Sequence, residues 1–434
     1  MAETPAATNK RRDVFIYFGL LTFLVYVASP HSYLLDVATA YMLKNQLHAT
    51  ASQISAFRVL TAAPIYFSIV FGLSRDLWNP FGQRDRGFLL LFAPAAVAVF
   101  LALAISPLSY AGLFAGMIVA MLAFRFIAAA YQGLMALTAQ EQLMSGRLSA
   151  LWQIVAMVAT FAAGMGAGWV VGHLTYSQTF VLAAAITALI ALMGLWKPRA
   201  VFSGAYERPE ARGSNLLGDL RRLVKHRAIY APVLIVLLFQ FSPGLNTPMQ
   251  FYLSNRLHAP DSVYGEFNGL LSASFIPAFI AYGFLCKKVS LRRLLWIGAI
   301  VTVPQMVPLG FIRSGDQALM LAVPMGLMGG LATCAFIDLT MRSCPEGLQG
   351  TLMMLVEGVG LLSLRASDAF GSAVYDADPH NGFLYCVIAT TLVYSLILPA
   401  LLLIPRDIIA RSEEGFSGTG QPALGAERKN AVVS

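Results

Sequence analysis

Long apolar runs, broken only by short polar interruptions, make up most of this chain. Twelve of them, at approximately 14–43, 54–73, 87–106, 109–138, 147–172, 177–196, 229–252, 264–285, 291–312, 317–340, 349–372 and 382–404, approach or exceed the ~20 residues that an α-helix needs to cross a bilayer. They predict an all-α membrane protein with twelve transmembrane helices. The longest hydrophilic interruption lies between Lys197 and Arg227, where Pro198, Gly204, Pro209 and Gly213 precede the basic stretch from Arg221 to Arg227. It reads as a cytoplasmic linker, 197–228, between an N-terminal six-helix half, 1–196, and a C-terminal half, 229–405. Within it, Leu216 to Leu223 is expected to form a short amphipathic helix on the membrane surface. The remainder, 406–434, rich in Gly, Ser and Glu, is expected to be a disordered cytoplasmic tail.

An internal repeat supports the division into halves. Leu43-Lys44-Asn45-Gln46-Leu47-His48-Ala49 returns as Leu253-Ser254-Asn255-Arg256-Leu257-His258-Ala259, an offset of 210. Ser52, Phe57 and Leu60 find Ser262, Phe267 and Leu270 at the same offset. Each copy follows one apolar run and precedes another, so the repeat unit is half the chain. Two like-oriented halves are the mark of large secondary-transporter architectures, related by a pseudo-two-fold axis along the membrane normal.

Composition agrees. The chain is 57% hydrophobic and only 12% charged, against roughly 25% charged in a soluble domain. The net charge of +8 is explained by its distribution. With the N-terminus cytoplasmic, inner segments hold 24 of the 30 Lys and Arg, and outer segments hold only Lys44, Arg256 and Arg313. That positive-inside bias places both termini in the cytoplasm, and a bacterial inner membrane is the expected location. It makes a nucleic-acid partner unnecessary. The first apolar run is too long for a signal peptide and should stay attached as a span. The four cysteines, Cys286, Cys334, Cys344 and Cys386, show no metal-ligand spacing. No cofactor is expected, and the protein is expected to be a monomer.

After the second run comes Gly72-Leu-Ser-Arg75-Asp76-Leu-Trp-Asn-Pro-Phe-Gly82-Gln-Arg84-Asp-Arg86. This resembles the loop between helices two and three of the major facilitator superfamily. Gly283, Lys287, Lys288, Arg292 and Arg293 stand at the equivalent place in the second half, without the Asp. The wide spacing from Asp76 to Gly82, the Arg-x-Arg and the sequence around Pro243 look most like the folate–biopterin transporter branch, and a group of pigment-assembly membrane proteins shares some of this. The chain departs from the branch at Tyr131-Gln132-Gly133-Leu134, where an acidic residue would be expected, which weakens the transfer of pterin specificity. The resemblance implies a gate at Gly72, Asp76, Arg84 and Arg86. Physically, Asp76 can sit against a helix N-terminus and pair with a nearby Arg; a plain helix-connecting salt bridge is the alternative.

Ionisable residues inside spans are costly and point to function. Asp36 and Arg58 lie at similar depth on the first two spans, as a structural ion pair or as part of a gate or substrate contact. Arg125 stands near the centre of the fourth span, where its guanidinium can serve a carboxylate or phosphate; pairing with Glu357 is the rival reading. Glu357, Arg365 and Asp368 share one face of the eleventh span, and Arg365 and Asp368 can pair at i, i+3. Glu357, Asp36 and Asp368 are candidates for proton coupling, with protons as a possible co-substrate. Asp338 and Arg342 read as a structural pair at the end of the tenth span. In the seventh span, Gln240, Ser242, Pro243, Gly244, Asn246, Pro248 and Gln250 interrupt the apolar run. That permits a bend, and Ser29-Pro30-His31 breaks the first span likewise. Gly164, Gly168 and Gly172 recur every four residues and read as a packing face.

The sequence contains no nucleophile–base constellation, metal spacing or phosphate-cradling loop, so an enzyme is not expected. The reading is a secondary transporter for a small organic anion, with substrate contacts at Arg125, Glu357, Gln240, Asn246 and Gln250. The alternative is a transporter-fold assembly factor for pigment or membrane-protein complexes.

Overall fold

The computed structural model describes residues 5–203, 216–260, 262–378, 380–405 and 408. Much of the charged linker and almost all of the expected tail, 406–434, lie outside the described residues. Among those described, every regular element is helical and no strand occurs. In chain order the α-helices are α1 Pro5–Ala28, α2 Tyr33–Asn45, α3 Ala51–Thr61, α4 Ala63–Tyr66, α5 Ser68–Leu77, α6 Arg84–Ile105, α7 Tyr110–Glu141, α8 Ser145–His173 and α9 Tyr176–Leu195. They continue with α10 Leu216–Lys225, α11 Tyr230–Gln240, α12 Thr247–Phe251, α13 Ser262–Leu285, α14 Leu291–Thr302, α15 Gly315–Ser343, α16 Gln349–Ala377, α17 Gly382–Ser395 and α18 Ile397–Ala400.

Nine segments of the described chain are long and apolar enough to cross a membrane. Three expected runs fall outside that group, each for a physical reason. The run at 54–73 is split into α3, α4 and α5 by breaks at Ala62 and Phe67. The run at 229–252 is interrupted after Gln240 and resumes at Thr247, followed by a π-helical turn over Tyr252–Arg256. The third, α16, is continuous over 29 residues but carries Glu357, Arg365 and Asp368 along its length.

The chain divides into two compact units. One comprises Met1–Thr138, Val155–Leu223 and Pro345–Gly358, and the other Ala139–Ile154, Val224–Cys344 and Val359–Ser434. Each is discontinuous in sequence, because the start of α16 belongs to the first unit and the start of α8 to the second. In the first, α6 packs along α9. In the second, α13 packs along α15 at very short range: a Cβ at Gly326 would fall 2.5 Å from the Leu271 carbonyl oxygen, and one at Gly330 would fall 2.7 Å from the Ala278 Cβ. Only residues without side chains let two backbones approach so closely.

The repeated heptapeptide ends a helix in both places. Leu47 N–H donates to Met42 O at 3.2 Å and Ala49 N–H to Leu43 O at 2.9 Å. In the second copy Leu257 donates to Tyr252 O at 3.1 Å and Ala259 to Leu253 O at 2.9 Å. The histidine between the donors takes a left-handed φ, 50° at His48 and 51° at His258.

Candidate functional site

Three polar side chains meet in the first unit. Arg125 and Gln132 stand two turns apart on α7 and so share a face. Arg125 Nη1 donates to Glu357 Oε1 at 2.7 Å, and Gln132 Nε2 donates to Glu357 Oε2 at 3.0 Å. Both carboxylate oxygens are engaged, which fixes the Glu357 side chain between a cation and an amide. The site is asymmetric in access: the Arg125 side chain is 9% exposed and that of Glu357 is 32% exposed. Arg125 Nε and Gln132 Oε1 are buried without a hydrogen-bond partner among the described residues. A carboxylate one-third exposed in front of a buried guanidinium can be displaced by an incoming anion that competes for Arg125. Arg125 thus forms the pair with Glu357 that stood as the rival reading of its role. Gln132, to which the sequence assigns no site role, is the third member.

A second cluster occupies the Gly72–Arg86 loop. Asp76 receives the Gly350 N–H at 3.2 Å, the Thr351 N–H at 2.7 Å and the Thr351 hydroxyl at 2.6 Å. Gly350 and Thr351 open α16, so Asp76 caps that helix from another part of the chain, satisfying orphan amides at the positive end of its dipole. Arg75 Nη1 donates to Asp76 at 2.6 Å, while Arg75 Nε and Nη2 form a two-pronged bridge to Asp85 at 2.5 and 2.8 Å. Burial alone would lower the Arg75 pKa, but Asp85 and Asp76 outweigh it and raise it. Burial pushes the Asp76 carboxyl up, against the pull of Arg75 and the Thr351 donors. The approach is close because side chains are missing: a Cβ at Gly72 would lie 2.5 Å from the Gly350 carbonyl oxygen, and one at Gly133 would lie 2.8 Å from the Arg75 guanidinium carbon.

Of the residues expected at the gate, Gly72 and Asp76 lie in this cluster, together with Arg75 and Asp85. Arg86 Nε donates to the Gly194 carbonyl at 2.9 Å and Nη2 to that of Leu195 at 3.4 Å, and the guanidinium lies 5.8 Å from the centre of the Phe202 ring. It caps the C-terminus of α9. Arg84 has a left-handed φ of 49°, and its N–H donates to Asn79 Oδ1 at 2.6 Å, which shapes the turn.

Asp36 and Arg58 form the expected pair, two-pronged at 3.0 and 2.8 Å, though with side chains 25% and 44% exposed it is not buried. In the second unit Asp338 is fully buried and accepts from Arg342 Nε at 2.7 Å and from the Tyr282 hydroxyl at 2.8 Å. The expected Arg365–Asp368 pair is not formed. Asp368 instead takes the Thr247 N–H at 3.0 Å and the Thr247 hydroxyl at 3.1 Å, capping α12 where the seventh run resumes. The breaks at Ser29–Ser32 and at 241–246 fall where the prolines place them. Gln240 and Asn246 are half-buried at the edges of the second break, and Gln250 is exposed. All three belong to the second unit, while Arg125 and Glu357 belong to the first. The glycine stripe on α8 is not a packing face: a Cβ at Gly164, Gly168 or Gly172 would meet nothing within 4 Å.

Among the described residues, no group of three or more His, Cys, Asp or Glu is placed to hold a metal ion. The sequence profile of the Major Facilitator Superfamily matches residues 15–364. Folate transporter 2 of Plasmodium falciparum (isolate 3D7) is 20% identical over 392 residues, covering 87% of this chain and 85% of the relative. The folate-biopterin transporter of Synechocystis sp. is 23% identical over 399 residues, covering 85% and 78%. Among solved structures, the superfamily transporter FucP in its outward conformation superposes with a TM-score of 0.66 at 15% identity, covering 90% of this chain and 98% of that one.

Proposed function

Because this chain belongs to the Major Facilitator Superfamily, whose members are transporters and not enzymes, we propose that it moves a small organic anion across a membrane by alternating access, with Glu357 coupling the movement to protons. Twelve crossings, in two six-helix halves with both termini in the cytoplasm, complete the reading. The observation that carries it is the triad of Arg125, Gln132 and Glu357: a buried guanidinium neutralised by a carboxylate that is itself one-third exposed. An anionic solute competes for Arg125, and the carboxylate it frees is then the group available to take a proton. Relatives named for folate and biopterin transport make those two solutes the first to offer. Asp76 at the head of α16 serves as a latch that is made and broken during the cycle.

The test is proton flux across vesicles containing the purified protein while organic anions, folate and biopterin are offered in turn. Solute-dependent alkalinisation of the donor side is expected. Solute uptake without proton movement would remove the coupling role of Glu357, and absence of any uptake by folded protein would remove the transport reading itself.

A further inference from the structure

Arg365 is the seventeenth of the 29 residues of α16, close to the middle of a helix long enough to cross a bilayer. It is exposed. On the same helix Ser363 and Ser367 are buried, and the Ser363 hydroxyl donates to the Leu237 carbonyl at 2.6 Å. At about 100° per residue, Arg365 points roughly 160–200° away from both serines, so it turns its back on the packed side of its own unit. The nearest acid on its helix, Asp368, has both oxygens occupied by Thr247. Among the described residues Arg365 makes no ion pair or hydrogen bond.

An unpaired guanidinium at this height has two possible surroundings. Against lipid it is costly, and charged residues in spans therefore almost always face the bundle interior or a water-filled cavity. The strip beside it on its own helix is mixed, with Asp368 and Ser372 half-buried and Leu362 and Ala369 exposed. We propose that Arg365 faces a water-filled path and contacts the anionic group of the solute, so that it sets specificity for carboxylate-bearing molecules over uncharged ones. The proposal deepens the reading of the chain as an organic-anion transporter and rests on it for the identity of the ligand.

Two measurements separate the proposal from that reading. The first uses Arg365→Cys and a membrane-impermeant maleimide. The native cysteines Cys286, Cys334, Cys344 and Cys386 are all buried, so background labelling is low. Labelling is expected, with folate present slowing it. An unlabelled cysteine in folded protein, or labelling at a rate folate does not change, overturns the proposal. If the wild type moves no solute yet folate still protects the cysteine, the transport reading falls and the anion contact stands.

The second compares uptake of folate, which carries carboxylates, with that of biopterin, which carries none. Arg365→Gln should raise the half-saturating folate concentration about tenfold or more, the scale of one charge-assisted hydrogen bond, and leave biopterin unchanged; Arg365→Lys should recover part of the loss. Equal effects on both solutes would show a structural role and overturn the specificity claim.

Discussion

The Asp76 carboxylate accepts both the backbone N–H and the hydroxyl of Thr351, at 2.7 and 2.6 Å, across 275 positions of sequence. A third contact, from the Gly350 N–H, makes this carboxylate the N-terminal cap of α16. Asp76→Asn keeps the size but loses the charge that suits the helix terminus, and replaces one acceptor oxygen with a donor facing donors. It should lower stability by about 1–3 kcal/mol. Thr351→Val removes the hydroxyl alone and should cost about 1 kcal/mol. Thermal unfolding in detergent measures both. The double variant should be less destabilised than the sum of the two, because the shared bond is removed only once. Strict additivity would show that the hydroxyl and the carboxylate do not depend on each other.

Arg125 and Glu357 differ in exposure, and that difference predicts an asymmetry. Glu357→Met strands a guanidinium that is 9% exposed, whereas Arg125→Met leaves a carboxylate that is 32% exposed and still held by Gln132. Losing one partner of a buried pair costs about 3–5 kcal/mol when the survivor cannot reach water. Glu357→Met should approach that range, and Arg125→Met should fall well below it. Chemical unfolding of the two variants under the same conditions gives the comparison. Equal losses would mean that the exposed edge of Glu357 does not relieve the unpaired charge.

Which of these contacts were legible in the sequence follows from how each is made. Pairs joining two rare charges at matched depth, Arg125 with Glu357 and Asp36 with Arg58, could be read because few partners exist inside a membrane. The helix breaks could be read because proline removes a backbone donor wherever it stands. Arg86 could not be placed, since the Gly194 and Leu195 carbonyls it caps carry no sequence signal. The i, i+3 spacing of Arg365 and Asp368 makes a pair geometrically available, but Thr247 at the head of a short helix offers Asp368 two donors from outside. The role of Asp85 carries no sequence signal, because the turn at Asn79–Arg84 that folds it back onto Arg75 depends on left-handed residues, among them Phe81 and Arg84, that are not turn formers.

The two sets of glycines predict opposite responses to the same substitution. Gly168 has open space where a Cβ would stand, so Gly168→Ala should be neutral or stabilise by up to about 1 kcal/mol, the helix-interior advantage of alanine. Gly330 would place its Cβ 2.7 Å from that of Ala278, so Gly330→Ala must push α13 and α15 apart and should cost about 1–3 kcal/mol. Melting temperatures of the two single variants decide it. A destabilised Gly168→Ala would restore the packing role that its spacing suggests.

His48 and His258 supply the last prediction. Both are exposed, both sit between the two donors that close a helix end, and both have φ near +50°. A β-branched side chain in that conformation crowds the neighbouring carbonyl, at a cost of roughly 1–2 kcal/mol. Glycine adopts it freely but gives up more freedom on folding. Thus His48→Ile and His258→Ile should each lower stability by about that amount, while His48→Gly and His258→Gly should change it by less than about 1 kcal/mol in either direction. Because the turns share one hydrogen-bond pattern, each substitution should have the same effect at both positions within about 0.5 kcal/mol. Thermal unfolding of the four single variants measures this directly. If isoleucine is tolerated at one site and not at the other, the two copies share a sequence but not the local energetics that the common backbone implies.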